Sequence, residues 1–242
     1  MQLKPPTLSQ CPICGNEYKS LSQHWRRSAS CDYPDIDERL HKLIRGLLAS
    51  DGTLDGSRAA LVEVQGTRYR HIKWLHEGLD WLSRGITVTD RPDEITNGVI
   101  YRLRTMAHPA LDQYWTTDEY DLTAPESLRV IYACDGSLSF AGVPRTSRRI
   151  VFRAEGSRDM LQSALEAHGI ESTYNANDGR VSVPSDDVER LLELVAPPIP
   201  GSEYKWADNL TEYSDIKDVV ESVEQDYARW SQGLLQAEIR DD

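Results

Sequence analysis

A chain of 242 residues can bury a substantial core, either as one large domain or as two of roughly 100 residues each. The composition is globular, with 39% hydrophobic and 27% charged residues, and no apolar run approaches the roughly 20 residues that cross a membrane. The N-terminal MQLKPPTLSQ lacks the apolar segment of a signal peptide. We therefore expect a cytoplasmic protein with no membrane partner.

The net charge of −12, taken alone, argues against a nucleic-acid partner. The basic residues are unevenly divided, however, with 21 arginines against 6 lysines. An acidic, lysine-poor chain is typical of a halophile, because an acidic surface keeps proteins soluble at high salt. Whether the chain can bind a nucleic acid therefore depends on where its arginines cluster.

Three of the four cysteines stand in the segment CPICGNEYKSLSQHWRRSASC. Cys11 and Cys14 form a C-x-x-C pair followed by a turn glycine, and His24 and Cys31 can complete a tetrahedron. Because so short a segment has almost no core, a structural Zn²⁺ ion would supply its folding energy. We predict a zinc knuckle over residues 1–35, with a disulfide or unrelated thiols as the alternative.

The knuckle carries Trp25, Arg26 and Arg27 directly after its histidine. Two arginines beside an aromatic ring can contact phosphate or can lie solvated at the surface, and the sequence leaves both readings open. The fourth cysteine, Cys134, precedes an aspartate in an apolar helical segment. It is expected to be a small core residue rather than a reactive thiol.

The remaining chain reads as two stretches, 36–118 and 119–206, that each have the element order α-β-β-α-β-β-α. The first predicts a helix from residue 37, a strand at 59–67, a helix at 68–85 ended by Gly85, a turn at Asn97-Gly98, a strand at 99–106 and a short helix at 108–115. The second predicts helices at 126–135, 157–169 and 185–195 and strands at 148–155, 171–176 and 180–184. Residues 207–242 predict a polar, acidic helical tail.

Each stretch begins with a similar segment, LIRGLLASDGTL in the first and LRVIYACDGSL in the second. Gly46 of the first aligns with Val130 of the second, and Asp51 aligns with Asp135. Small side chains let two helices approach closely. If the helices pack on these faces, their C-termini lie side by side and the two aspartates come within a few ångströms of each other.

Two carboxylates this close repel each other, and both would lie at the partly negative ends of helices. A divalent cation removes the conflict, and Mg²⁺ prefers one or two carboxylates completed by water and phosphate oxygens. One Asp-Gly after a helix is simply a cap and a turn, but two matching copies favour a metal site. Asp51 and Asp135, with the backbones of Ser50 and Cys134 as further candidate ligands, therefore predict metal-assisted phosphodiester cleavage.

The two segments resemble the signature helices of single-chain LAGLIDADG homing endonucleases. YRLRTMAHPALDQYW is similar to a strand and helix of that family, and PPIPGSEYKW is similar to its closing Pro-x-x-Tyr-Lys segment, so the resemblance covers roughly residues 37–206. It implies an α+β fold of two αββαββα halves, related by a pseudo-two-fold axis and packed through the signature helices. Two antiparallel sheets would form a saddle on double-stranded DNA.

The same resemblance implies roles for individual residues. Asp51 and Asp135 would bind Mg²⁺, and Lys205 would be the basic residue of one active site. A monomer would cut both strands of a long asymmetric target. Many relatives carry a Lys-x-x-Pro segment before the second signature helix, whereas this chain has TTDEYDLTAPESL, without lysine. The first half's active site is therefore expected to use an arginine or to be impaired.

Arginines on the predicted strands offer the cations that DNA binding needs. Strand alternation places Arg102 and Arg104 on one face, and likewise Glu63 and Gln65. Arginine pairs bidentately with guanine or phosphate, glutamine reads adenine, and glutamate accepts from cytosine N4. Any one arginine can be solvated surface, but the set favours DNA contact. The predicted DNA-binding residues are Arg26, Arg27, Arg58, Glu63, Gln65, Arg102, Arg104, Arg145, Arg148, Arg149 and Arg153.

These features lead us to expect a Mg²⁺-dependent, site-specific DNA endonuclease of intron homing, with the knuckle adding contacts at one flank. The alternative is a LAGLIDADG protein that binds DNA or RNA without cutting, as a maturase or a regulator. The presence of both acids favours cutting. A zinc-stabilised structural or partner-binding protein would explain the cysteines but not the repeat.

Overall fold

A computed structural model describes residues 9–56, 59–91, 98–117, 119–141, 147–153 and 156–241. The N-terminal knuckle and the first half contain β1 Ser9–Gln10, β2 Glu17–Tyr18, α1 Leu21–Arg27, α2 Glu38–Leu48, β3 Gly52–Asp55, β4 Leu61–Gly66, α3 Tyr69–Leu79, β5 Ser83–Arg91 and β6 Gly98–Thr105, with 3-10 helices at Asp80–Leu82 and Pro109–Trp115. The second half and the tail contain α4 Pro125–Asp135, β7 Gly136–Ala141, β8 Ser147–Arg153, α5 Arg158–Ala167, β9 Thr173–Asn175, β10 Arg180–Val183, α6 Ser185–Leu194, a 3-10 helix at Glu203–Trp206 and α7 Leu210–Asp241.

Both halves build an antiparallel four-stranded sheet with the same topology. Within the described ranges, the first sheet has the order β3-β4-β6-β5 and the second has the order β7-β8-β10-β9. In each, the first two strands pair directly and the fourth lies between the second and the third. The predicted α+β fold with two matching αββαββα halves is therefore confirmed, and β1 and β2 add a small hairpin to the knuckle.

Helix α2 follows directly from the sequence pattern. Leu40, Leu43, Ile44 and Leu47 recur every three or four residues and are all buried. The carboxylate of Asp37 accepts a hydrogen bond from the backbone N–H of Leu40 at 2.8 Å and so caps the N-terminus.

The predicted end of α3 is wrong. The helix ends at Leu79 rather than Gly85, because Asp80 adopts a φ of 48° and so leaves the helical conformation. Gly85 lies instead within β5, with a φ of 95°, where the pairing with β6 shifts register between Ser83 and Ile86. Glycine at this position supports a strand irregularity rather than a helix cap.

The chain divides into two compact units that cut across the order of the sequence. One comprises Met1–His41, Thr53–Asp118 and Asp226–Asp242, and the other comprises Lys42–Gly52 and Glu119–Gln225. The C-terminal part of α2 therefore belongs to the same unit as α4. The domain boundaries expected from the sequence, at 1–35, 36–118, 119–206 and 207–242, remain a prediction.

The second unit is built around α4. Its core includes Leu128 and Tyr132 from α4, Phe152 from β8, Leu165 from α5 and Leu191 from α6, all of them buried. In the first unit, α7 packs on the sheet near Ser231: the Tyr101 hydroxyl lies 3.1 Å from that of Ser231, where both are buried. The expected helical tail therefore contributes to a core. Every helix among the described residues is too short or too polar to cross a membrane.

Candidate functional site

The C-terminal part of α2 packs against α4 almost backbone to backbone. A Cβ atom at Gly46 would lie 2.7 Å from the Ser127 carbonyl oxygen and 2.9 Å from Cβ of Val130, closer than side chains approach. The Ser127 hydroxyl donates a hydrogen bond to the Lys42 carbonyl oxygen at 2.8 Å. The predicted close packing of the two signature helices is thus observed, and it requires glycine at position 46.

Two glycines place the aspartates at the junctions between helix and strand. A Cβ atom at Gly52 would lie 2.8 Å from the Leu47 carbonyl, and one at Gly136 would lie 2.2 Å from Cδ2 of Tyr132. Neither junction has room for a side chain, so β3 and β7 start directly against the preceding helical turn. The residue before each glycine, Asp51 or Asp135, is fixed at that junction.

The closely packed ends of α2 and α4 carry one acid each. Asp51 is exposed and Asp135 is half-buried. Burial and the negative charge of Asp51 raise the pKa of Asp135 to about 6, while the charges of Lys205 and Arg153 act in the opposite direction. A like charge shifts a pKa in this way only when it lies close by. Two mutually repelling carboxylates form an oxygen donor set of the kind that fits Mg²⁺.

Cys134, which precedes Asp135, stays a thiol. Burial, and then the charge of Asp51, raise its pKa to about 12. The hydroxyl of neighbouring Ser50 donates to the Gly46 carbonyl oxygen at 2.8 Å and so closes the last turn of α2. Cys134 therefore behaves as the small core residue expected from the sequence. Metal ligation by the backbones of Ser50 and Cys134 remains a prediction.

Lys205, the residue expected to be basic in one active site, is buried at the end of α4. It is only 6% exposed, and its ammonium donates to the carbonyl oxygens of Tyr132 at 3.2 Å and Ala133 at 2.6 Å. The Tyr132 hydroxyl in turn donates to the Lys205 carbonyl oxygen. The ammonium thus caps the C-terminal turn that carries Asp135, where a positive charge is stabilising.

The four predicted knuckle ligands converge. The ligand atoms of Cys11, Cys14, His24 and Cys31 all lie within 4.8 Å of one another. The Cys14 sulfur lies 3.6 Å from Nε2 of His24, close to the roughly 3.5–3.8 Å between ligands on a tetrahedral zinc ion. Burial alone would raise the pKa of Cys11, but N–H groups of Cys14, Trp25 and Ile13 lower it to about 6. The Cys11 thiol therefore loses its proton more readily than a free thiol, and the resulting thiolate is the form that binds a cation.

Trp25 joins the knuckle to the rest of its unit and does not accompany the arginines at the surface. It is 2% exposed, and its indole N–H donates to the Cys11 sulfur at 3.3 Å. Its ring contacts Trp81 edge-on at 5.6 Å and Tyr33 at 5.5 Å between ring centroids. Arg26 and Arg27, by contrast, are exposed at the end of α1. Sequence alone did not indicate that the knuckle is packed in this way.

On the first sheet, the predicted polar face is observed. Glu63 is paired across the strands with Arg104, and Gln65 with Arg102, so all four side chains share a face. The opposite face carries the buried core residues Val62, Val64, Tyr101 and Leu103. Glu63 itself is 8% exposed and contacts both arginines.

On the second sheet, Arg149 and Arg153 are exposed on one face of β8, but Arg148 is not on that face. Side chains alternate along a strand, so Arg148 shares the other face with the core residues Ile150 and Phe152. There it forms ion pairs with Glu189 and, at 3.1 Å, with Asp208. We therefore correct the expectation that all three arginines form one surface.

An arginine that sequence reasoning missed completes this face. Arg180 of β10 is directly opposite Arg153 and is exposed. Two like charges opposite each other destabilise a sheet unless an anion lies nearby. The alternation in RVSVP could have placed Arg180 on this face, had the strand pairing been known. Arg58 and Arg145, also predicted to contact DNA, lie outside the described residues.

Comparisons with known proteins identify the fold. No model of a known protein family and no curated protein matches this chain. The solved structure of the homing endonuclease I-WcaI bound to its DNA recognition sequence matches with a TM-score of 0.63 and 16% identity, over 78% of this chain and 93% of that chain. At this identity the likeness shows the fold alone: the chain has the fold of the LAGLIDADG homing endonucleases.

Two further structures match more weakly. Full-length DUF199/WhiA from Thermatoga maritima has a TM-score of 0.47 and 13% identity, over 86% of this chain and 69% of that one. I-DmoI in complex with DNA and Mn has a TM-score of 0.42 and 12% identity, over 65% of this chain and 97% of that one.

Proposed function

We propose that this chain is a LAGLIDADG homing endonuclease that makes a site-specific double-strand break in DNA with Mg²⁺. The observation that supports this most strongly is the acid pair. Asp51 and Asp135 lie at two closely packed helix ends, and the charge of one raises the pKa of the other. Because one chain supplies both acids, we expect a monomer to cut both strands, in the manner of intron homing.

The residues around the acid pair have different proposed roles. Asp51 and Asp135 offer the oxygen ligands for Mg²⁺, which when bound would neutralise charge on the scissile phosphate and lower the pKa of an attacking water. Lys205 holds the last turn of α4 through its carbonyls and so orients Asp135. Arg153, whose charge acts on Asp135, offers a positive group to the phosphate.

The arginine-bearing faces of the two sheets are proposed as the DNA-binding surfaces. Arg102, Arg104 and Gln65 of the first sheet suit base edges, since they present paired donors. Arg149, Arg153 and Arg180 of the second suit phosphate groups, and so do Arg26 and Arg27 of the knuckle. Arg148 is not part of this surface, because it forms ion pairs with Glu189 and Asp208 on the other face of the sheet.

The proposed activity is tested by incubating the protein and Mg²⁺ with a plasmid pool that carries a long randomised insert. We expect a small fraction of plasmids to become linear, and sequencing of their ends should return one recurrent, long and asymmetric sequence. Ends scattered over unrelated sequences would contradict site-specific cleavage. Recovery of a bound sequence that is never cut would support a binding protein without nuclease activity.

Arg149 and Arg148 form a matched pair of neighbours on opposite faces of β8. Arg149→Ala should weaken binding to a fluorescent random duplex and reduce the slope of log affinity against log salt by roughly 1, because one phosphate contact is lost. Arg148→Ala should leave that slope unchanged and lower the free energy of unfolding instead. Fluorescence titrations at four salt concentrations measure both, and equal slopes for the two variants would refute the assignment of faces.

We further propose that the knuckle binds one structural Zn²⁺ ion through Cys11, Cys14, His24 and Cys31. Three sulfurs and one imidazole nitrogen within 4.8 Å of one another form a donor set that suits a closed zinc site. Trp25 fits this role because its N–H donates to a ligating sulfur, a contact that orients the ligand.

Wild-type protein should therefore retain about one equivalent of zinc after treatment with a weak chelating resin. Cys11→Ser should lose the metal, lower the midpoint of thermal unfolding and weaken DNA binding more than it slows cleavage. Cys134→Ser is the matched control, because it removes a thiol outside the cluster and should keep the zinc. Elemental analysis decides: less than half an equivalent in the wild type would rule out the site.

A further inference from the structure

A carboxylate lies at the centre of the polar face of the first sheet. Oε2 of Glu63 accepts a hydrogen bond from Nε of Arg104, and Oε1 lies 3.2 Å from Nε of Arg102. Oε1 also accepts a hydrogen bond from Nε2 of Gln65 at 2.6 Å. One acidic side chain thus contacts three side chains that face the proposed DNA.

The burial of this carboxylate sets it apart from surface acids. The Glu63 side chain is 10% exposed, whereas those of Arg102 and Arg104 are 35% and 40% exposed. Burial would raise the pKa of Glu63, but its contacts with Arg104, Gln65 and Arg102 lower it, so the group stays ionised at neutral pH. A buried carboxylate is stable only when oppositely charged groups contact it, and for Glu63 those groups are the guanidinium groups of Arg102 and Arg104.

The atoms involved determine what each arginine can still do. Both arginines approach Glu63 through Nε. A guanidinium group has a second donor edge, formed by its two Nη groups, which lies away from a carboxylate bound at Nε. That edge matches the two acceptors O6 and N7 of guanine in the major groove. Glu63 therefore leaves the base-reading edge of each arginine available.

The second sheet offers a contrast. Arg153 and Arg180 are opposite each other, and the Arg180 guanidinium lies 3.8 Å from the carboxylate of Asp178, in the turn before β10. Arginines that no buried acid contacts at hydrogen-bond distance among the described residues keep more rotamers, which suits phosphate contacts of any sequence. On the first sheet, Glu63 lowers the net positive charge of the face and holds the neighbouring side chains in fixed orientations.

We propose that Glu63 is a positioning residue for DNA specificity: it fixes Arg102, Arg104 and Gln65 so that they read particular base pairs rather than phosphate. The proposal rests on the proposed function, since it assumes that duplex DNA lies on this face. It replaces the simpler expectation that Glu63 itself reads a base, because the neighbours already occupy both of its oxygens.

The test compares Glu63→Gln with Asp55→Asn. Asp55 is a matched control, since it is an exposed acid that lies 3.9 Å from Arg104 and carries the same charge. Duplexes bound in Ca²⁺ by each protein are selected from a randomised pool and sequenced. Glu63→Gln should relax the preference at one or two adjacent base pairs by about 10-fold, whereas Asp55→Asn should keep every preference and change only overall affinity.

Arg104→Lys is a second variant, which keeps the charge but removes the Nε donor. It should relax a base pair that Glu63→Gln also relaxes, and if Glu63→Gln fails to fold, Glu63→Asp, which shortens the acid but keeps its charge, takes its place in the same comparison. The proposal is overturned if Glu63→Gln shifts the affinity for all sequences equally, or if the two variants relax unrelated positions. A wild-type protein that selects no sequence at all would instead overturn the proposed function.

Discussion

Asp135→Asn is expected to lower the single-turnover rate of DNA cleavage by about 10³-fold or more, with duplex binding in Ca²⁺ retained. The substitution removes one of two carboxylates that would hold Mg²⁺, and a metal interaction worth roughly 4 kcal/mol corresponds to a rate loss of that size. Binding should survive or strengthen, because a negative charge that faces the phosphates is lost. The measurement uses end-labelled duplex of the selected sequence and excess protein.

Asp51→Asn should have a similar effect, since the two acids occupy matching junctions. Asp55→Asn is the control within the same segment: it removes an exposed carboxylate four residues further along, and its rate at saturating protein should stay within about twofold of the wild type. If Asp135→Asn cuts both strands at the wild-type rate, the assignment of the second signature helix is wrong.

The second large effect is expected at Lys205. The wild-type enzyme should cut the two strands at different rates, because the segment TTDEYDLTAPESL offers no lysine equivalent to Lys205. Lys205→Met removes the ammonium that caps the turn bearing Asp135 and should slow the faster strand by about 10²-fold. Supercoiled plasmid should therefore pass through a nicked circle before it becomes linear.

The burial of Lys205 adds a stability effect that a purely catalytic lysine would not show. Loss of its two hydrogen bonds to helix carbonyls should lower the free energy of unfolding by about 1–3 kcal/mol, measured in urea. Lys205→Arg keeps the charge and serves as the control, with a smaller loss in both measurements. Equal rates on both strands of the wild type would mean that another residue, such as Arg153, serves both sites, and the asymmetry would have to be abandoned.

The paired acids could be predicted from the sequence because the constraint on them is local. Each aspartate precedes a glycine, and each glycine is required because the next strand starts against the preceding helical turn. Two local signals in matching positions therefore predicted the junctions. The convergence of Cys11, Cys14, His24 and Cys31 was predictable for a similar reason, since the spacing of thiols and imidazole is a property of a short segment.

What the sequence could not provide was the partner of each side chain. Arg148 and Arg149 are neighbours, and only the strand register decides which of them faces the core. Arg180 gained its role from the strand opposite it, and Glu63 gained its role from residues about 40 positions away. Nothing in the sequence indicated that Trp25 packs against Trp81, which lies more than 50 positions away. Each of these contacts is long-range, and residue patterns carry little information on such contacts.

The most direct measurement is anomalous X-ray scattering from crystals of the protein bound to its selected duplex, grown with Ca²⁺ and soaked in Mn²⁺. We predict manganese within ligand distance of carboxylate oxygens of both Asp51 and Asp135, next to a DNA phosphate, and loss of that signal in the double asparagine variant. Manganese bound elsewhere, or a wild-type complex in which neither aspartate touches a metal, would contradict the proposed cleavage centre.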